Sequence, residues 1–260
     1  MSSKAFPLDL QATSYAYIER ANRALVDLTV SHVLRHRPTA SILDIGCGCG
    51  ANALAIKKRF PMCHYTGVEP NPEAADLAEE RCDEVYEGTF QELVEEEQLT
   101  PFDCVLLSDV LEHIADPVDF LRGLVDSEAA RRAILVVSVP NMAVWYSRIR
   151  GLLGSFSYSF SGLYDRTHLR FFTRDSLHEL FAYCGLEVLE TRVTPSIVQS
   201  AAPLLRRLFD EELARGDHLA LDDSLAYRVY QRWVEPVEGK VCGLWPELLG
   251  FQLVTVVRRG

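Results

Sequence analysis

Apolar and polar positions alternate along the 260-residue chain in a strand–helix rhythm. Short apolar runs at residues 42–45, 64–69, 102–107, 133–139, 186–193 and 251–257 have the length and β-branched content of buried strands. Residues 83–90 add a shorter, more polar strand and its exit. Between these runs, residues 51–60, 72–81, 91–98, 116–125 and 174–184 read as helices, and the punctuation agrees. Asn71 before Pro72, Asp116 before Pro117, and Thr173 are N-cap residues, while Gly185 marks a helix end. Residues 133–139 form the most hydrophobic run and belong at the centre of a sheet. Residues 9–36 read as an N-terminal helix, with Tyr17, Ala21, Ala24, Leu25, Leu28 and Val33 at helical spacing and Pro38 as its stop. Two more helices, 204–214 and 221–234, fall in the long gap before the last strand. No repeat, low-complexity tract or linker divides the chain. The expectation is a single α/β domain over 1–260 with a doubly wound sheet. It carries a helical extension at 1–38, an insertion at 141–172 and a helical insertion at 195–249.

The rhythm is interrupted most sharply at Ser41-Ile-Leu-Asp-Ile-Gly-Cys-Gly-Cys-Gly50, a strand, a glycine turn and the start of a helix. That order sets bare backbone N–H groups beside a helix N-terminus, a place for a cofactor. Gly46, Gly48 and Ala51 satisfy the G-x-G-x-x-A form of a dinucleotide fingerprint, which alone is weak. Asp44 inside the strand adds information, because a buried carboxylate is costly unless it is bonded or faces a positive charge. With the third glycine early, at Gly50, the string from Leu43 resembles the first motif of class I S-adenosylmethionine-dependent methyltransferases, where the loop holds the methionine end of the cofactor.

Further residues carry the same resemblance. Glu69, followed by Pro70, stands at the end of the second strand where the family places an acid that accepts hydrogen bonds from the ribose hydroxyls. The family more often has aspartate there. At the exit of the third strand the family contacts adenine; the usual acid is Thr89 in this chain, and Phe90 is placed to cover the ring. Ser108 and Asp109 end the fourth strand and open Asp109-Val-Leu-Glu-His-Ile114, which resembles the fourth motif of the small-molecule branch. By that resemblance Ser108 and Asp109 line the methionine side and His113 lies near the point of methyl transfer. Tyr164-Asp-Arg-Thr-His-Leu-Arg-Phe-Phe-Thr173 resembles a D-x-x-H-x-R-x-F-T signature of bacterial methyltransferases acting on small molecules or sugars, with His168 as the alternative catalytic base. Tyr15, in the N-terminal helix, is expected at the cofactor mouth. The family fold implies strand order 3-2-1-4-5-7-6 with strand 7 antiparallel.

Charge and aromatic content locate the acceptor. The net charge of −11 argues against an extended nucleic-acid or anionic-membrane footprint, and no apolar run is long enough to span a bilayer. Within that acidic chain, residues 141–174 carry eight aromatics and five arginines. Trp145, Tyr146, Arg148, Tyr164, Arg166 and Arg170 are the candidate substrate residues, with Arg170 either holding an acidic substrate group or tying the loop to the body. Seven cysteines without a C-x-x-C pair predict neither a disulfide framework nor a zinc site, and they suit a reducing cytoplasm. No metal is expected. The 195–249 insertion reads as a cover or as a homodimer surface, and the sequence leaves both open.

The function expected is methyl transfer from S-adenosylmethionine to an oxygen of a small, anionic, partly apolar or sugar-like metabolite, with S-adenosylhomocysteine as product. A nicotinamide-dependent oxidoreductase is allowed by the glycine pattern and opposed by Asp44 and the 108–113 string. A cofactor-binding module without catalysis is opposed only by the aromatic and arginine-rich insertion.

Overall fold

The computed structural model describes residues 21–96, 100–159, 162–195, 240–242 and 244–260. Seven strands form one sheet: β1 Ser41–Ile45, β2 His64–Glu69, β3 Glu84–Glu87, β4 Cys104–Ser108, β5 Ile134–Pro140, β6 Leu186–Pro195 and β7 Gly250–Arg259. Their order is β3-β2-β1-β4-β5-β7-β6, and only β7 runs antiparallel to its neighbours. The expected sheet is therefore present strand for strand. The central parallel strands β1, β4 and β5 are buried on both faces, so they read as near-continuous apolar runs, whereas the edge strand β3 stays partly exposed and more polar.

Alternation reappears in which layer each side chain joins. Leu43, Ile45, Val105, Leu107, Leu135 and Val137 pack with α4 Phe90–Glu96, α5 Pro117–Asp126 and α7 Arg174–Tyr183 on one face. Ile42, Cys104, Leu106, Val136, Val254 and Val256 pack on the other with α1 Arg23–Thr29, its continuing π-helical turn Val30–Leu34, and α2 Ala51–Lys57. The caps form as their residue types dictate. The Asn71 side chain accepts from the amide of Ala74 and opens α3 Pro72–Glu79, and Asp116 accepts from Val118 and Asp119. Thr173 and Ser176 cap each other's backbone amides at the start of α7.

Two features position the site. Strand order reverses between β1 and β4, so a crevice opens beyond their C-terminal ends. The insertion then folds over that edge. Asn141 is buried at the exit of β5, its amide donating to the carbonyls of Glu247 and Gly250 at α8 Pro246–Leu249 and the start of β7. From that anchor the chain makes α6 Trp145–Leu152 and a loop that returns to pair Phe172 beside Asn141. The first part of the expected N-terminal helix, with Tyr15, and the expected helices 204–214 and 221–234 lie outside the described residues.

Candidate functional site

The glycine turn is built as a cradle. Gly46, Gly48 and Gly50 all have φ in the left-handed region, at 72°, 55° and 74°. A Cβ on Gly46 would also stand 2.8 Å from a Val110 methyl, so that position excludes any side chain. The amides of Gly46 and Cys47 donate to the Val68 carbonyl, which ties the turn to the end of β2.

Asp44 lies beneath the turn and is fully buried. Its Oδ2 accepts a 2.6 Å hydrogen bond from the Tyr65 hydroxyl, whereas Oδ1 has no partner within hydrogen-bond geometry among the described residues, the Asn52 side chain lending only a weaker support. Burial pushes the carboxyl up to about 7, against the opposing pull of Tyr65. An orphaned carboxylate oxygen at this depth is a standing cost that a cationic or N–H-bearing ligand would remove.

Glu69 is buried at the end of β2. Its Oε2 accepts from the Gly48 amide and its Oε1 from the Asn71 amide, each at 2.9 Å. Its two oxygens are thus clamped from the glycine turn and from the start of α3. Pro70 follows it, exposed.

The adenine-side expectations change. The Thr89 hydroxyl and amide both donate to Glu92 Oε2 at 2.7 Å, so Thr89 caps α4. Phe90 is buried in the core, edge-on to Phe120 at 6.1 Å, and does not stand over the cleft. The first turn of α4 demands a cap and an inward apolar residue, and these two side chains supply them.

At the end of β4, Ser108 pairs in register with Ser138. Asp109 takes φ 57°, a left-handed conformation rare for a residue with a side chain. It is locked there from two strands: its amide donates to Ser138 O and Oγ, and both carboxylate oxygens accept from the Gln252 amide at 2.8 Å. Burial raises its carboxyl to about 6. Gln252, on β7, is a site residue that the sequence reading missed. Nothing in a polar residue near the start of the last strand signals that it reaches across to the fourth.

The turn after Asp109, Leu111–His113, meets the D-x-x-H loop. The Glu112 carbonyl accepts from the amides of Leu169 and Arg170, and His113 Nδ1 lies 3.2 Å from the Thr167 carbonyl. Asp165 shapes the loop by accepting from the Thr167 amide and hydroxyl, and His168 Nδ1 lies 3.2 Å from the Leu163 carbonyl. The two imidazoles stack edge to face with centroids 4.9 Å apart. Since a carbonyl only accepts, each ring donates its Nδ1–H. Burial holds both rings below the ordinary histidine range, with His168 adding to the effect on His113. Two neutral histidines from motifs 55 positions apart thus share one corner of the crevice. Beside them, the Glu112 carboxyl is buried to 1% exposure, and neither oxygen has a partner among the described residues. The sequence reading passed over Glu112.

The insertion's residues are partly committed to its own structure. Tyr164 is buried, donates to Ser147, and lies under the Arg150 guanidinium at 4.2 Å. Trp145 and Tyr146 pack partly buried against the Val144, Leu163 and Tyr164 cluster. Arg148 donates to the Ala143 carbonyl, and Arg170 ties the loop to the body through the Ala115 carbonyl. Of the two roles expected for Arg170, the structure shows the tie. Arg166 is half-buried. A hollow of about 240 Å³ lined by Arg122, Asp126 and Arg259 lies at the opposite end of the sheet and has no part in this crevice.

Comparison with known proteins agrees with this geometry. A methyltransferase-domain family model matches residues 17–191. Among curated relatives, the ubiquinone biosynthesis O-methyltransferase of Caulobacter vibrioides is 36% identical over 85 residues, 32% of this chain and 34% of the relative. The (S)-coclaurine N-methyltransferase of Papaver somniferum is 30% identical over 101 residues, 37% of this chain and 28% of the relative. The matched segment thus spans about a third of these curated relatives. A solved S-adenosylmethionine-dependent methyltransferase from Archaeoglobus fulgidus shares the fold, with a TM-score of 0.50 and 21% identity over 90% of this chain and 94% of that one. The chain belongs to the methyltransferase-domain family. Among the described residues no helix is long and apolar enough to cross a membrane.

Proposed function

We propose that the chain transfers the methyl group of S-adenosylmethionine to an oxygen of a small, anionic, partly apolar metabolite. The observation that carries this reading is the cradle: three left-handed glycines over a buried Asp44 whose Oδ1 lacks a partner among the described residues, at the point where strand order reverses. S-adenosylmethionine supplies an electrophilic methyl on a sulfonium, and these residues fit it. Asp44 would take the ammonium of its methionine end, and Glu69 its ribose hydroxyls. The 108–113 turn and the D-x-x-H loop flank the acceptor. With both histidines neutral and Nδ1 donating, the basic atom of each ring is Nε2, which can hold an acceptor hydroxyl for in-line attack directly or through a bound cation. The arginine-rich insertion keeps unused guanidinium donors on Arg148 and Arg170, which suits an acidic group on the acceptor.

Calorimetry with S-adenosylmethionine, S-adenosylhomocysteine and NAD in parallel tests the reading. The first two should bind at micromolar concentration and NAD should not. Asp44→Ala and Glu69→Ala should each weaken binding by at least about 1 kcal/mol, the scale of a hydrogen bond to a charged group. Binding of NAD alone would overturn the cofactor assignment, and unchanged affinity in both variants would overturn the site.

A further inference from the structure

The corner where the two motifs meet holds more than two histidines. One ligand atom from each of Glu112, His113 and His168 lies within 4.8 Å of the others. Both histidines donate Nδ1–H to a backbone carbonyl. That outer contact fixes ring orientation and tautomer, and it is the usual support of a metal-bound imidazole. Glu112 reinforces the pattern, since its two carboxylate oxygens are buried without a partner among the described residues. A histidine pair that served only to orient a hydroxyl would not require an unsatisfied carboxyl beside it.

We infer that Glu112, His113 and His168 form a binding site for one divalent transition-metal ion of the zinc type. Two neutral imidazoles and one carboxylate form the donor set of sites that keep an open coordination position. Magnesium and calcium prefer oxygen donors and fit this set less well. The neighbourhood accepts the added charge. Asp109, half-buried three residues earlier, is a further acid close by in the chain. His113 is the more exposed of the three and gives the entry side.

The consequence for the reaction rests on the proposed methyl transfer. A cation held by these three residues would keep a coordination position open, at which an acceptor hydroxyl would bind and lose its proton to solvent near neutral pH. Its oxygen then forms the O–C bond as the S–C bond of the sulfonium breaks, leaving a neutral thioether. His113 and His168 hold the cation in this scheme and do not themselves carry the proton away.

The test uses tag-free protein stripped by a chelator and titrated with Co2+ and Zn2+. One equivalent of Co2+ should bind at micromolar concentration or tighter, with visible d–d absorption, and Zn2+ should displace it. Glu112→Gln and His168→Ala should each weaken binding tenfold or more, while His36→Ala, on the far surface, should not. Should either site variant fail to fold, the Co2+ spectrum of the wild-type protein still decides, since its bands report nitrogen and oxygen ligands. Absence of stoichiometric binding, or binding retained in both folded site variants, would sink the inference. S-adenosylmethionine titrated into the same stripped sample separates the two claims. Cofactor binding without metal binding removes this site alone, and metal binding without cofactor binding removes the proposed function and leaves the site.

Discussion

At the scale of single residues, Asp44 shows how a site is held at the expense of the fold. Its carboxyl titrates near 7 in the folded chain against 3.8 ordinarily, because burial opposes the charge more than the Tyr65 hydroxyl supports it. The folded state therefore holds a proton that the unfolded state has released. This group's contribution is fully present below about pH 4 and is lost as pH rises through about 7, by a few kcal/mol in all. In chemical denaturation of cofactor-free protein, wild type should lose stability over that window relative to Asp44→Asn, whose side chain does not ionise. Parallel pH profiles for the two would show that Asp44 does not titrate as its burial demands. The identity of Asp44 as a candidate was legible in the sequence, since an acid inside an apolar strand asks for an explanation. Its pairing with Tyr65 was not, because both strands had to be laid side by side first.

At the scale of elements, the glycine turn constrains a strand it does not belong to. Cys47 turns down onto β2, and a Cβ on Gly67 would lie 2.6 Å from its sulfur. Gly67→Ala should therefore destabilise the protein by about 1–3 kcal/mol through overpacking. The double change Cys47→Ala with Gly67→Ala should recover most of that loss, and the interaction term from urea denaturation measures it. Additive losses would mean that strand propensity, not the clash, makes glycine necessary. Element existence was legible almost throughout, because apolar runs and caps are local signals. Thr89 and Phe90 went the other way. Their place after a strand suggested ligand contact, and the structure shows what the sequence did not, that they also serve the cap and core of α4.

At the scale of the whole molecule, the insertion over the crevice is fastened at several points. The Glu112 and Ala115 carbonyls, and the Asn141 amide on the carbonyls of Glu247 and Gly250, bind it to the body. Its packing is thus a scaffold, and under the proposed function its arginines would select the acceptor. Replacing Arg148 and Arg166 together by alanine should raise KM for an acidic acceptor about tenfold or more and leave cofactor affinity nearly intact. Each lost charge-assisted contact is worth roughly 1.5–3 kcal/mol. Steady-state kinetics beside cofactor calorimetry checks this, and a loss confined to the cofactor would remove the acceptor role of these arginines.

What could be read along the chain is local or periodic: six apolar runs and a shorter, more polar strand, their helices and caps, and the glycine turn with its acids Asp44 and Glu69. These follow from burial, backbone conformation and capping, which act over a few residues. Tertiary structure alone decided which distant residues share a corner. Gln252 reaches Asp109 because β7 inserts beside β5, and Glu112 and His113 meet His168 because the insertion folds back across the end of β4. No spacing in a linear chain encodes such meetings, since they depend on the path of the backbone between the residues and not on the residues themselves.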